Sequence, residues 1–179
     1  EEISNLEQST NQNSEDTFAA RVEILTKNLK GSIWLKGGRI DDLSLQKYRE
    51  TLDLSSNNVS LLSPDDSNDP YYAFHGWAGM EGLEENDTPN ANTIWALKSG
   101  SVLTENSPIT LSWKSKKGII FEKTISIDEN YMFEISQSVI NGSSKNIKLY
   151  PYGNLTRNGQ PDTIGFYILH EGVVGMHDG

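Results

Sequence analysis

The sequence predicts an all-β fold, mainly antiparallel, with few or no helices, of the sandwich or open-barrel kind. Three observations predict it. Short apolar runs alternate residue by residue with polar side chains, as half-buried strands require. Turn-forming pairs separate these runs at short intervals. No stretch reads as a convincing helix.

The clearest alternation runs from Ile119 to Ile140. On its first arm Ile119, Phe121, Ile125 and Ile127 share one parity, and Glu122, Thr124, Ser126 and Asp128 hold the other. On its second arm Tyr131, Phe133, Ile135 and Val139 oppose Glu134, Ser136 and Ser138. Asp128-Glu129-Asn130 suits a tight reversal, so the arms are expected to pair as an antiparallel hairpin. A lone hairpin is marginal in water, so the rest of the chain must supply strands for its apolar face to cover.

Taken in order, residues Glu1–Asp16 are polar and read as a tether; Ser4 and Glu7 match a capping box, but no amphipathic face follows. The β domain is expected over 18–179. Strand signals begin near Phe18, with Val22 and Ile24 alternating against Arg21 and Glu23. After a bend at Lys27-Asn28, Leu29, Ile33 and Leu35 alternate with Ser32 and Trp34. Gly37-Gly38 makes a two-residue turn that tolerates positive φ twice, so the Trp34 strand should pair with the strand carrying Ile40, Leu43 and Leu45. A polar loop at Ser55–Asn58 precedes a short strand of Val59, Leu61 and Leu62, ended by Ser63-Pro64. Tyr71–Trp77 reads as a strand, and Gly79–Asn92 as a long acidic loop. Thr93–Leu97 is expected as a short strand around Trp95, and Ile109, Leu111 and Trp113 as another. A Lys-rich turn, Lys114–Gly118, leads into the central hairpin. Asn141-Gly142 is a further turn, Ile147–Tyr152 a strand, Gly153–Asp162 a loop, and Ile164, Phe166 and Ile168 begin a last strand. The total is about ten short strands.

The 179 residues fit one domain with a real core. Hydrophobic content of 35% and mean hydropathy of -0.53 describe a polar, soluble chain, and no run approaches a spanning helix. The sequence opens without a signal peptide, which suggests a cytosolic protein or a piece cut from a larger one. A net charge of -10 argues against nucleic acid and against docking on anionic lipid, both of which need Lys and Arg. The absence of cysteine removes disulfides, Cys-ligated zinc and thiol chemistry. Sequons at Asn58, Asn86, Asn141 and Asn154 are what an Asn- and Ser-rich chain produces by chance.

Candidate chemistry is sparse. His170 and His177 stand seven apart, whereas a zincin needs two His four apart on a helix. Asp65, Ser67 and Asp69 have the opening rhythm of a calcium loop, but Pro70 takes the place of its glycine. Glu81, Glu84, Glu85 and Asp87 read as a solvated acidic loop. Ser44–Lys47 matches S-x-x-K without the partner motifs of that hydrolase class. The four tryptophans lie on predicted strands or their edges, where aromatics mostly fill the core; an exposed one would suit sugar or peptide stacking. No catalytic, cofactor-binding or metal residue is assigned, no cofactor is expected, and any binding residues are unknown at this level.

Several phrases, in order, resemble one family. They are Gly37-Gly38-Arg39-Ile40-Asp41-Asp42-Leu43, then Leu45, Tyr48 and Arg49-Glu50-Thr51, then Val59 with Leu61-Leu62-Ser63-Pro64. Tyr131-Met132-Phe133 with Gln137 and Val139 follows, then Pro151-Tyr152-Gly153 with Arg157, Gly159 and Pro161, and Tyr167-Ile168-Leu169-His170-Glu171-Gly172. Together, from Phe18 to Gly179, the chain resembles the large periplasmic (P1) domain of the YidC membrane-protein insertases, in the branch with longer acidic loops common in alphaproteobacteria. The resemblance implies a twisted β supersandwich similar to the galactose-mutarotase fold, on the periplasmic face of the bacterial inner membrane. It implies that residues 1–17 tether the domain to a first transmembrane helix, and that the family domain continues past Gly179. An unpaired strand edge or apolar face is then expected.

The implied parent inserts and folds inner-membrane proteins, alone or with the Sec translocon and its accessory subunits, and is not an enzyme. The working groove of that family lies in a transmembrane bundle outside these residues, so no groove residue carries over. The domain itself would be a partner platform, a spacer or a chaperone-like surface. Two other readings stand beside this one: a carbohydrate- or peptide-binding module using exposed tryptophans, and a mutarotase-like sugar enzyme. The last needs an acid and a base converging in one cleft, whereas His170 and Glu171 are neighbours on a predicted strand and face opposite sides.

Overall fold

The computed structural model describes residues 20–159 and residue 175. Eleven strands form in sequence: β1 (Arg21–Leu25), β2 (Leu29–Trp34), β3 (Arg39–Arg49), β4 (Asn58–Leu62), β5 (Tyr71–Gly79), β6 (Ala96–Ser99), β7 (Val102–Leu103), β8 (Ile109–Lys114), β9 (Ile120–Ile127), β10 (Phe133–Ile140) and β11 (Leu149–Arg157). The one helical element among the described residues is a 3-10 turn, Glu85–Asp87. The fold is therefore all-β. Every strand pairing is antiparallel except the two-residue β1–β7 contact.

The strands make two sheets. One holds seven strands, ordered β11-β5-β3-β2-β1-β7 with β4 also on β3; the other holds four, ordered β10-β9-β8-β6. Their inner faces share one core. From the larger sheet come Val22, Ile24, Leu29, Ile33 and Trp77; from the smaller come Ile109, Leu111, Phe121, Ile125 and Ile127. Trp77 meets Phe121 edge-on with ring centroids 5.1 Å apart and stacks on Trp95 at 6.2 Å, which joins the sheets through aromatic packing.

The central hairpin forms as its alternation requires. Phe133 pairs with Ile127 and Ile140 with Ile120, without a register shift. The reversal is longer than a tight turn. Asp128 Oδ1 accepts the backbone N–H groups of Asn130 and Met132 at 2.8 and 2.9 Å. Tyr131 is forced to φ 70° and lies outside the strand, a correction to its predicted place on the second arm. Gly37 and Gly38 have φ of 75° and 61°, but Trp34 pairs with Arg39, so the connection takes residues 35–38 and is longer than the two-residue turn expected.

Three further boundaries differ from the sequence reading. Trp95 precedes β6 rather than centring a strand; the neighbouring Ile94 makes an isolated bridge to Lys36. Strand β7 is two residues long, too short for any periodic signal. Strand β11 runs through Pro151 and Gly153 to Arg157, where a loop was expected from Gly153. Proline is tolerated because β11 bonds to β5 alone among the described strands and so lies at an edge. At Gly153 a Cβ would lie 3.1 Å from the His75 ring, so a larger residue there would press on that side chain. The predicted tether at 1–17, the Phe18 start and the last strand with Ile164, Phe166 and Ile168 fall outside the described residues.

Strand β3 carries a bulge. Ile40 pairs with Ile33 and Asp42 with Ser32, leaving Asp41 as the extra residue. The bulge brings the Asp42 carbonyl so near Gly31 that a Cβ there would sit 2.0 Å from its oxygen. Gly31→Ala should therefore destabilise the fold by on the order of 2 kcal/mol or more, through backbone displacement. Ile125→Ala, at a site 2% exposed, should cost about 2–4 kcal/mol through the cavity it opens. Urea unfolding of both variants checks this, with Ser136→Ala on the outer face expected to stay within about 0.5 kcal/mol of the parent.

Candidate functional site

Two sheets of unequal width leave a seam. On one side runs β10, bonded to β9; on the other runs β11, bonded to β5; neither free edge is paired among the described residues. Between them lies an apolar cleft of about 380 Å³, lined by Leu29, Ile40, Leu43 and Ala73 at its base and by Phe133, Ile135 and Leu155 at its sides. Tyr71, Tyr131 and His75 supply its polar atoms. The Gln137 side chain crosses the seam and donates to the Gly76 carbonyl at 2.9 Å. Beyond that bond a second hollow continues along Trp77, Val139, Ile147 and Pro151. The inner residues of β10 are only partly buried, whereas their equivalents on β9 are fully buried.

Behind the cleft, at the same parity as Phe121 and Ile125, sits Lys123. It is 1% exposed. Its stem crosses the core. Its Nζ donates to the Gly37 carbonyl at 3.4 Å and lies 4.5 Å from the Trp95 ring centroid and 5.1 Å from that of Phe74. Among the described residues no carboxylate pairs with it, and burial pushes its pKa down to about 7. The imidazole of His75 is also held below its ordinary value, first by burial and then by the Lys123 charge. Alternation places Lys123 on the apolar face, but a lysine reads as a surface residue, so the sequence signal passes over it.

A second polar cluster grows from the Gly-Gly-Arg-Ile-Asp-Asp phrase. Arg39, buried, lies 4.8 Å from the Trp34 ring and 4.7 Å from the Tyr72 ring, and Nη1 bonds Asp65 Oδ2 at 2.5 Å. Asp41, wholly buried at the bulge, receives Arg21 Nη2. Burial pushes the Asp41 carboxyl up, against the pull of Arg21 and Arg39. Arg21 Nε also donates to Ser32 Oγ at 2.8 Å, and that hydroxyl donates to Asp42 at 2.7 Å.

The other sequence candidates are scattered. Asp65 is taken up by Arg39. Glu84 and Asp87 are bridged by Lys117 at 3.0 and 2.6 Å, which lowers the Asp87 pKa. Ser44 and Lys47 stand on strand β3, not on a helix. Trp77 and Trp95 are core residues, and Trp34 and Trp113 are half-buried. His170, Glu171 and His177 lie outside the described residues. Among the described residues no group of three or more metal-ligating side chains converges.

The buried ammonium has a pH signature. The folded state disfavours the proton on Lys123, while the unfolded chain holds it up to its ordinary pKa of 10.5. Between about pH 7 and 10.5 the unfolded state therefore binds more protons, and this contribution to stability rises with pH by up to about 1.4 kcal/mol per unit. Lys123→Met should stabilise the fold at pH 7, and its advantage should shrink as pH approaches 10. Denaturation midpoints of parent and variant across that range measure the difference; a constant gap would contradict the assignment.

No helix among the described residues is long and apolar enough to cross a membrane. Comparison with known proteins is consistent along the chain. Residues 21–179 match the family described as the YidC periplasmic domain. The membrane protein insertase YidC of Dinoroseobacter shibae is 50% identical over 161 residues, covering 90% of this chain and 27% of that protein. The protein of the same name from a Ruegeria species is 53% identical over 152 residues, covering 84% of this chain and 25% of the relative. That of Roseobacter denitrificans is 49% identical over 162 residues, with 90% and 27% covered. The chain thus spans about a quarter of the length of the relatives it matches. With its two antiparallel sheets and its ordered phrases from Gly37 onward, the chain belongs to the family of YidC periplasmic domains.

Proposed function

We propose that this chain is the periplasmic interaction arm of a membrane-protein insertase, one that inserts and folds inner-membrane proteins alone or with the Sec translocon. The observation that supports this role for the domain is the seam between β10 and β11. It joins an apolar cleft to two strand edges that are unpaired among the described residues. An extended apolar segment docks on such a surface by adding a strand to one edge and burying alternate side chains behind it. A nascent inner-membrane protein offers such segments, and so does a tail of a Sec accessory subunit. The domain would serve as a partner platform with a chaperone-like surface; a spacer role would need no such cleft.

In this reading the domain makes and breaks no bonds. Acid–base catalysis needs two converging groups of opposite role. The described residues lining the cleft include His75 but no Asp, Glu, Lys or Arg.

The test uses a fluorescent, extended Leu/Ala peptide and, separately, purified Sec accessory subunits. The chain should bind at least one of them. Leu155→Asp, on the cleft wall and 50% exposed, should weaken binding about tenfold or more. Leu52→Asp, fully exposed on the β3–β4 loop, should leave it unchanged. No binding to peptide or subunits would reduce the domain to a spacer.

A further inference from the structure

A second surface lies apart from the seam and shares no lining residue with it. The asparagine-rich 86–93 loop faces the end of β8 and the turn that follows it across a hollow of about 590 Å³. Trp113 forms one wall. Its neighbours are Asn86, Asn90 and Asn92 on the loop and Lys114 and Lys116 on the turn. We propose that this hollow binds an acidic oligosaccharide, with a sugar ring stacked on Trp113 and its carboxylate held by Lys114 and Lys116.

Three observations carry the proposal. The first is the aromatic wall. Trp113 is half-buried, fixed from behind by Phe121 at 5.7 Å between ring centroids. A rigid indole with an open face is what the C–H face of a pyranose packs against. The second is the amide content. A sugar hydroxyl both donates and accepts, and an asparagine amide offers both. Among the described residues the Asn86 and Asn92 side chains form no hydrogen bond of their own. Their loop is nonetheless built. Asn90 N–H donates to Thr93 Oγ1 at 2.8 Å, and Asn92 N–H donates to Asn90 Oδ1 at 2.9 Å.

The third observation is charge. Lys117 clamps the two walls together by bonding Glu84 and Asp87. Lys114 and Lys116, on the same turn, pair with no described residue. Lys114 and Lys116 thus offer two ammonium groups with no ion pair among the described residues, beside a wall whose carboxylates Glu84 and Asp87 are bridged by Lys117, and they are the groups that can meet an anion. Nucleic acid is the other anion with rings to stack, but the overall charge repels a polyphosphate and tolerates a single carboxylate. The site stands whether or not the seam binds peptide, since the two share no residue.

The experiment titrates the chain with four probes by calorimetry, following the Trp113 indole N–H by NMR. The probes are chitotetraose as a neutral glycan, the disaccharide of N-acetylglucosamine and N-acetylmuramic acid, a Kdo-containing core oligosaccharide, and a single-stranded DNA oligomer. One or both acidic glycans should bind about tenfold more tightly than chitotetraose, the scale of a charge-assisted hydrogen bond. The tighter of the two acids identifies the source, cell-wall glycan or lipopolysaccharide. The double substitution Lys114→Gln, Lys116→Gln should bring acidic and neutral glycans level, and Asn92→Ala should weaken both. Trp113→Ala also removes packing on Phe121, so the surface lysine variants decide the matter if it fails to fold. No binding by any glycan, equal binding of acid and neutral sugars, indifference to the lysine substitutions, or preference for DNA would each overturn the proposal.

Discussion

The inner face of β9 is where the two sheets depend on each other. Phe121, Ile125 and Ile127 are at most 4% exposed and reach across to Trp77 and the strands around it. Each such side chain removed from water contributes about 1.5–3 kcal/mol, so this one strand supplies a large part of what binds sheet to sheet. Lys123 interrupts it. An unpaired ammonium in this position works against the fold, and the structure offsets the cost in three ways. Its methylenes fill the core, two aromatic faces border the charge, and the Gly37 carbonyl accepts a hydrogen bond from it. The last contact reaches the Gly-Gly turn between β2 and β3. The smaller sheet is thereby connected to the most constrained backbone of the larger one.

That turn begins the phrase by which the family is recognised, and the chemistry of the phrase is constructional. Gly37 and Gly38 supply left-handed backbone. Arg39 fills the space between Trp34 and Tyr72, and Asp41 marks the bulge that turns β3 toward its two arginines. Of this phrase only Ile40 and Leu43 reach the cleft between β10 and β11. The first of the family phrases thus holds the sheet in shape, while Leu61, Leu62, Tyr131 and Phe133 of the later ones line the cleft.

The strands were legible because a sheet with one wet face writes its geometry directly as parity. Parity failed where tertiary structure overrode composition. Lys123 has the right spacing for the core but the wrong charge for a reader of hydropathy. β7 is held by two residues of parallel pairing with β1, a contact no local pattern announces. β11 looked broken at Pro151-Tyr152-Gly153, because the fact that makes proline and glycine acceptable there is its edge position beside β5. The candidate sites were less legible still. The acidic loop read as solvated, and only the folded chain brings Lys117 to Glu84 and Asp87 and sets the asparagines opposite Trp113. The seam could not be read at all, since β10 shows the same alternation as β9 and differs from it only in what lies across from it.

That difference follows from counting strands. Among the described residues, seven strands on one side and four on the other do not cover each other edge to edge. β9 lies in the interior of the small sheet and buries its inner residues completely; β10 is one strand further out, and Phe133, Ile135 and Val139 stay partly open. Leu155 faces them from β11, half exposed. Apolar area left uncovered on both walls, with main-chain donors and acceptors unpaired at both rims among the described residues, costs stability in isolation and is recovered when another segment fills it. A domain built only as a spacer would gain by closing this seam with polar side chains. Instead, Phe133, Ile135 and Val139 keep β10 apolar on its seam side, with Gln137 the one polar residue among them, and the proposed recognition role rests on that uncovered face.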